Sequence, residues 1–301
     1  MKNKVPFLLE FLQYIAKPSV QVEKKPTFHL ILFNVIRLWS IIFAISIFFA
    51  LISNLLLKIH GYSEDDLVLT QIIEELDYFL ILFLVIIWTP ISEEIGFRLW
   101  LRFSPLKWGL GLGFFALFFL PFVDIPFIPT EIFTFDSVSG SLGSMFLVGC
   151  IFLFVFFLLK FKEVGLKVEK FFTKNFRFFF YSVGIFFAII HISNYDVDLK
   201  SIWYFAPLLI FPQLFLSFSI SFIRMRYGFA WAVFTHALNN SIAIIPLLIL
   251  MPLLETEGIL VGEFSTKDVF LLLIGFSFLM MIFLVCLLSI LSLILEFTKR
   301  D

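Results

Sequence analysis

Charged residues are scarce in this 301-residue chain. They make up 15% of it, whereas hydrophobic residues make up 61%, and the mean hydropathy is +1.04. A water-soluble domain of this length could not cover its surface with so few charges. The scarcity therefore excludes a soluble globular protein and indicates a polytopic membrane protein. The net charge of −1 gives no indication of a nucleic-acid partner.

Cysteine is also rare. Cys150 and Cys286 lie in apolar runs and lack CxxC spacing, so we interpret them as small core or lipid-facing residues. No charged N-terminal segment precedes an apolar stretch with a small-residue cleavage site, which argues against a cleaved signal peptide. The connections between apolar runs are at most about 15–20 residues long, which is too short for a separate soluble domain.

Eight apolar runs are long enough to cross a bilayer, which takes about 20 residues each. They cover approximately residues 29–57, 79–102, 107–127, 140–160, 177–194, 201–223, 228–253 and 268–297. We therefore predict an all-α bundle of about eight transmembrane helices. Lysine and arginine concentrate in alternate loops, which by the positive-inside rule places both termini in the cytoplasm. The short inner loops and the richness in Lys, Ile and Phe favour a bacterial cytoplasmic membrane.

The flanking segments complete the predicted domain organisation. Residues 1–27 mix Leu, Phe and Lys with prolines, which predicts a basic amphipathic arm on an anionic membrane surface, followed by one transmembrane domain over residues 28–301. Residues 63–77 and 160–176 are predicted to form amphipathic helices outside and inside the cell. Small residues such as Gly109 and Gly113 have the spacing of a helix-dimer face, although the sequence leaves the oligomeric state open.

Three ionisable residues interrupt the second apolar run. An acidic or basic residue costs about 2.5–3.5 kcal/mol at the bilayer centre, so Glu93, Glu94 and Arg98 are candidates for function. Glu94 and Arg98 are four residues apart on one helix face, in the favourable order for an ion pair. Glu93 points about a third of a turn away and has no local partner, which suits a general base.

Two later runs supply further polar side chains. His191 lies near the polar end of the fifth run, and His236 and Asn240 share a face of the seventh, where they could also serve only to hold helices together. At 1.5 Å per residue, Glu93, His236 and Asn240 reach similar depths, whereas His191 is expected several ångströms further out. Arg37, a third of the way along the first run, is expected to snorkel to the inner surface.

Together, the motifs resemble those of the CPBP intramembrane proteases, which include CAAX prenyl endopeptidases and bacteriocin-processing or immunity proteins. The shared elements are Glu-Glu-x-x-x-Arg, Phe-x-x-x-His and His-x-x-x-Asn, in this order on separate spans over residues 79–250. In this sequence the last residues of the three motifs are, in the same order, Arg98, His191 and Asn240. One departure is that two spans lie between Arg98 and His191, whereas family members have a much shorter separation.

The resemblance implies an endopeptidase whose active site lies within the bilayer. Glu93 would deprotonate a water molecule, with His191 helping to position it, and His236 and Asn240 would donate hydrogen bonds to the oxyanion. Glu94 with Arg98 would orient Glu93. A divalent metal such as zinc, held by Glu93, His191 and His236, is the competing chemistry, although the spacing is not that of His-Glu-x-x-His proteases.

Two other functions fit the same residues. A non-proteolytic scaffold or immunity protein could keep the polar set for stability, and a proton-coupled carrier could use buried Glu and His as a relay. Many carriers are built from internal repeats, and the absence of a visible repeat in this sequence argues against the carrier. The expected partners are lipid and a peptide or membrane-protein substrate, and no segment of the sequence identifies that substrate or shows whether it is prenylated.

Overall fold

A computed structural model of the chain describes residues 6–20, 26–62, 77–119, 138–195, 203–254 and 266–298. About 90% of this part is helical, and it contains no β-strand. The helices are α1 (Phe7–Ala16), α2 (Phe28–Ile59), α3 (Tyr78–Leu82), a π-helix (Phe83–Trp88), α4 (Thr89–Phe97), a 3-10 turn (Leu99–Leu101), α5 (Pro105–Phe119), α6 (Val138–Lys160), α7 (Lys162–Lys174), α8 (Phe176–Ile190), a second 3-10 turn (His191–Asn194), α9 (Ala206–Tyr227), α10 (Phe229–Leu254) and α11 (Thr266–Thr298).

Six helical segments are long and apolar enough to cross a membrane. They are Phe28–Ile59, Tyr78–Leu101, Leu142–Lys160, Phe176–Asn194, Ala206–Tyr227 and Leu273–Glu296. The predicted all-α multi-pass membrane fold is confirmed at this level. Of the remaining predicted spans, 107–127 is described only as far as Phe119, and 228–253 corresponds to the 26-residue helix α10. The count of eight stays a prediction.

Helix α9 lies at the centre of the described bundle. It packs against α1, α2, α8 and α10, and it therefore has no single lipid-facing side. Ile220 and Ile223 belong to a core cluster with α2, whereas Met225 belongs to an aromatic cluster with α8. Helix α10 packs against α9, α4 and the π-helix, which brings the three stretches with polar motifs to one region of the bundle.

The N-terminal helix makes a contact that the sequence did not predict. Helix α1 buries Phe7 and Phe11 against α9, where the rings of Phe11 and Phe222 are 5.3 Å apart. The backbone N–H of Phe7 donates to Oε1 of Glu296 on α11, 3.1 Å away, and Arg37 pairs with the other oxygen of the same carboxylate. Arg37 is 5% exposed, and its partner Glu296 lies two residues before the end of α11, so the expected snorkelling toward the inner surface stays a prediction.

Two glycines let helices α5 and α6 approach closely. A Cβ atom at Gly109 would lie 2.9 Å from the carbonyl oxygen of Phe152, and one at Gly113 would lie 3.0 Å from that of Val148. Any larger residue would push the helix backbones apart. The small-residue face therefore packs against another helix of the same chain, and the oligomeric state stays open.

The two predicted amphipathic helices have different outcomes. Segment 160–176 is confirmed as helical, since α7 covers most of it and turns Phe172 into the bundle while its lysines stay exposed. Segment 63–77 lies outside the described residues except for Asp77. The side chain of Asp77 accepts hydrogen bonds from the backbone of Phe79 and Leu80 and so caps α3.

Candidate active site

The two adjacent glutamates lie on α4, and both are buried. Glu94 is 0% exposed and Glu93 is 7% exposed. Nη1 of Arg98 donates to Oε1 of Glu94 over 2.9 Å, so the ion pair has the spacing that the sequence predicted. Arg98 follows the last residue of α4, where its guanidinium folds back along the helix.

Arg98 has further partners that compensate for its complete burial. Its Nη2 donates to Oγ of Ser217 on α9 over 2.7 Å. The guanidinium carbon lies 3.8 Å from the centre of the Phe187 ring on α8, within the range of a cation–π contact. Arg98 thereby joins α4, α8 and α9, which is a structural role for a charge that would be costly without partners.

His236 of α10 connects the two glutamates. Its Nδ1 lies 2.9 Å from Oε1 of Glu94, the oxygen that also receives Arg98. Because Oε1 of Glu94 already acts as an acceptor toward Arg98, we assign the hydrogen of this bond to Nδ1 of His236. The other ring nitrogen, Nε2, is 3.7 Å from Oε2 of Glu93.

His191 approaches the same oxygen from the end of α8. Its Nδ1 lies 2.7 Å from the carbonyl oxygen of Phe187, which can only accept, so Nδ1 carries the hydrogen. Its Nε2 is 3.9 Å from Oε2 of Glu93. The offset in depth that the sequence predicted does not separate these two side chains, which lie within 4 Å of each other.

Three electron-rich atoms therefore face one another at the centre of the site. Oε2 of Glu93 is buried and has no hydrogen-bond partner in the described part of the chain, while two imidazole Nε2 atoms point toward it. With each Nδ1 hydrogen already donated, a neutral imidazole presents only a lone pair there. The arrangement suits binding and deprotonating a molecule that donates hydrogens, such as water.

Asn240 forms its hydrogen bond with the backbone of the π-helix and not with Glu93. Its Nδ2 donates to the carbonyl oxygen of Val85 over 3.0 Å, and Val85 belongs to the π-helix. π-Helical turns occur frequently at functional sites. Pro90, which has no N–H to donate, follows this segment and was the sequence signal for an irregular helix.

Sequence reasoning missed three supporting residues. Ser217 and Phe187 contact Arg98 as described, and Arg224 of α9 donates from Nε to the carbonyl oxygen of Arg98 over 3.1 Å. Nη2 of Arg224 donates to the carbonyl oxygen of Leu99, also over 3.1 Å, and so satisfies the end of α4. The run of alternating serines at 217, 219 and 221 inside an apolar span was the available signal for Ser217.

The metal alternative gains no geometric support in the described residues. Among them, no group of three or more His, Cys, Asp or Glu side chains is arranged to hold a metal ion. Both Nε2 atoms lie 3.7–3.9 Å from Oε2 of Glu93.

Comparisons with known proteins leave the geometry as the main guide to function. No protein-family model, curated protein or solved structure matches this chain.

Proposed function

We propose that this chain is an intramembrane endopeptidase of the kind that its motifs resemble, the CPBP proteases. One observation carries the proposal: two imidazoles approach the unpartnered oxygen of Glu93 within 4 Å, in a buried site. Buried titratable groups that converge in this way are candidates for a functional site. The chain brings these groups together from three separate stretches.

The attacking water is the first part of the proposed reaction. Glu93 takes one hydrogen of the water as its oxygen forms a bond to the carbonyl carbon of the substrate. The lone pair on Nε2 of His191 accepts the other hydrogen and so orients the water. When the tetrahedral intermediate collapses, the C–N bond breaks and Glu93 passes its proton to the leaving nitrogen.

The oxyanion requires hydrogen-bond donors, and His236 can serve only when its ring is protonated. Its Nδ1 hydrogen is donated to Glu94, so Nε2 gains a hydrogen only in the imidazolium. In that state the two glutamates are balanced by Arg98 and the imidazolium, so the buried set is neutral overall. Asn240 can add its second amide hydrogen, since only one is used on Val85. Removing one such donor typically costs about 2.7–4 kcal/mol of barrier.

Glu94 and Arg98 act as positioning residues in this scheme. The carboxylate fixes the ring of His236, and the guanidinium fixes the carboxylate. This differs from the expectation that the pair would orient Glu93. It resembles the way in which a buried carboxylate holds a catalytic imidazole in hydrolases.

The membrane topology belongs to the same proposal. Eight spans with both termini in the cytoplasm, in a bacterial cytoplasmic membrane, fit the distribution of lysine and arginine. The protease core is residues 79–250, between a basic N-terminal arm and the last helix. The depth of the polar residues favours access for water from the cytoplasmic side.

Membrane peptidomics tests the activity. Cells producing the wild type, Glu93→Ala or Glu163→Ala should be compared, because Glu163 is an exposed acid on α7 and controls for a lost carboxylate. We expect new peptide termini at membrane segments in the wild type and in the control but not in Glu93→Ala. Identical peptides in all three strains would exclude the protease. Cleavage by purified protein in the presence of a chelator tests metal dependence.

A non-proteolytic scaffold is the second candidate. The hydrogen-bonded residues around Arg98 favour it. Arg98, Glu94 and Ser217 are joined by hydrogen bonds in a buried network that can serve stability alone. Glu93→Gln, which keeps the shape of the side chain, should then leave the cellular phenotype unchanged, whereas the protease proposal requires its loss.

A further inference from the structure

A cavity lies between the N-terminal segment and the junction of α7 with α8. Its volume is about 730 Å³, within the range of small-molecule sites. Residues 17–20 form one wall, and residues 173–178 form the other. It shares no lining residue with the proposed active site.

Hydrogen bonds hold both walls in place. The hydroxyl of Tyr14 donates to the carbonyl oxygen of Ser19 over 2.7 Å, and that of Tyr181 donates to the carbonyl oxygen of Ile15 over 2.6 Å. Burial raises the pKa of Tyr14, so this hydroxyl keeps its hydrogen at physiological pH. On the other wall, Nδ2 of Asn175 donates to the carbonyl oxygen of Phe171. The cavity is therefore part of the fold.

The charge of the cavity has one sign. Lys17, Lys174 and Arg177 line it, and no acidic side chain does so among the described residues. Exposed lysines are usually solvated separately, but here three cations from two walls surround one concave space. Thr173 and Ser19 add hydroxyl groups. Such a set of donors around a cavity is suited to an anion with several oxygen atoms, such as a phosphate.

The position of the cavity identifies the source of the anion. Phe176 is the first residue of a segment that is long and apolar enough to span a membrane. The hydrocarbon layer of a bilayer crossed by this segment would begin beside the cavity. Phe178, which lines the cavity, is 67% exposed, and Phe171 on α7 is 60% exposed. Basic helices with exposed aromatic residues lie at the headgroup level of anionic membranes.

We propose that this cavity binds the phosphate headgroup of an anionic phospholipid, with Lys17 on one wall and Lys174 and Arg177 on the other. The exposed ring of Phe178 lies against the acyl chains. The site would anchor the N-terminal segment to the inner leaflet and is independent of the proteolytic proposal.

Native mass spectrometry of the full chain tests the site. Binding of phosphatidylglycerol and of phosphatidylcholine with the same acyl chains should be measured for the wild type and for Lys174→Ala/Arg177→Ala. The matched control is Lys162→Ala/Lys167→Ala, which removes two exposed cations of α7 outside the cavity. We expect the wild type to prefer phosphatidylglycerol, and the cavity variant to bind it about thirtyfold more weakly, the loss expected for two cations at an anionic surface.

Two further measurements distinguish binding of the lipid in the cavity from attraction of the lipid by the net charge of the protein. Lys17→Ala, on the opposite wall and outside any helix, should weaken binding about fivefold, which keeps the test valid if the double variant does not fold. Equal losses in the cavity variant and in the control would overturn the site, because they would reflect net charge alone. Inorganic phosphate that binds as tightly as the lipid would overturn the assignment to a lipid headgroup.

Discussion

The bundle contains two ionic clusters, one partly and one fully buried, that differ in how completely their carboxylates are partnered. In the first, Glu296 uses one oxygen for the backbone of Phe7 and the other for Arg37, which ties α1, α2 and α11 together. In the second, Oε1 of Glu94 receives Arg98 and His236, but Oε2 of Glu94 and Oε2 of the neighbouring Glu93 have no hydrogen-bond partner in the described residues. Of these two oxygens, that of Glu93 lies between two imidazoles. Partnered buried charges favour a role in stability, whereas an open carboxylate oxygen between two imidazoles favours chemistry.

Among the substitutions that test this comparison, Glu93→Gln should produce the largest effect, a loss of cleavage. The amide cannot accept a proton from water, so cleavage of a substrate found by peptidomics should fall about 10²–10⁴-fold. The free energy of unfolding should stay the same or rise, because the substitution removes a buried charge. Both quantities can be measured on protein in bicelles. Unfolding of the variant without a specific loss of cleavage would instead place Glu93 with the structural charges.

Arg98→Ala should give the largest loss of stability. It leaves Glu94 buried without its cation, and breaking a buried pair typically costs about 3–5 kcal/mol. Steric-trap measurements of the free energy of unfolding can detect a loss of this size. Lys167→Ala, at an exposed position of α7, serves as the control and should change stability by less than about 0.5 kcal/mol. A loss for Arg98→Ala no larger than that of the control would show that the network is not structural.

Local spacing predicted part of the site. The Glu94–Arg98 pair follows from a separation of four residues on a helix, and the apolar runs predicted the helical fold. The contacts of Arg98 with Ser217 and Phe187 were missed, because they join residues far apart in sequence and depend on how the helices pack. For the same reason, spacing could not show that His236 bonds to Glu94.

The other differences concern contacts between separate helices. Depths counted along single helices placed His191 further out than Glu93, but the packing of the helices brings the two side chains together. It also brings Asn240 to Val85 of the π-helix. Pro90 was an available signal for an irregular helix that the sequence analysis did not use, and a proline alone does not specify which carbonyl groups a break makes available.

Glu296→Ala should have a smaller effect than Arg98→Ala. Arg37 would lose its partner, but the side chain of Glu296 is 33% exposed, so water can replace part of the interaction. We expect a loss of about 1.5–3 kcal/mol in the free energy of unfolding, the usual range for hydrogen bonds to charged groups, with cleavage unchanged. In Arg37→Ala/Glu296→Ala the combined loss should be less than the sum of the two single losses. Full additivity would show that the pair is not coupled.

Gly109→Ala should have the smallest effect, and it tests packing that involves no charge. The new Cβ would meet the carbonyl oxygen of Phe152 at 2.9 Å, and the cost of overpacking, offset by the helix propensity of alanine, leaves a loss of about 1 kcal/mol. Gly149→Ala on α6 is the matched control, because no atom lies within 4 Å of its new Cβ, and it should be neutral or stabilising. If Gly109→Ala instead changes the oligomeric mass in detergent and leaves stability intact, the glycine face mediates association between chains, and the packing of α5 on α6 is not what requires it.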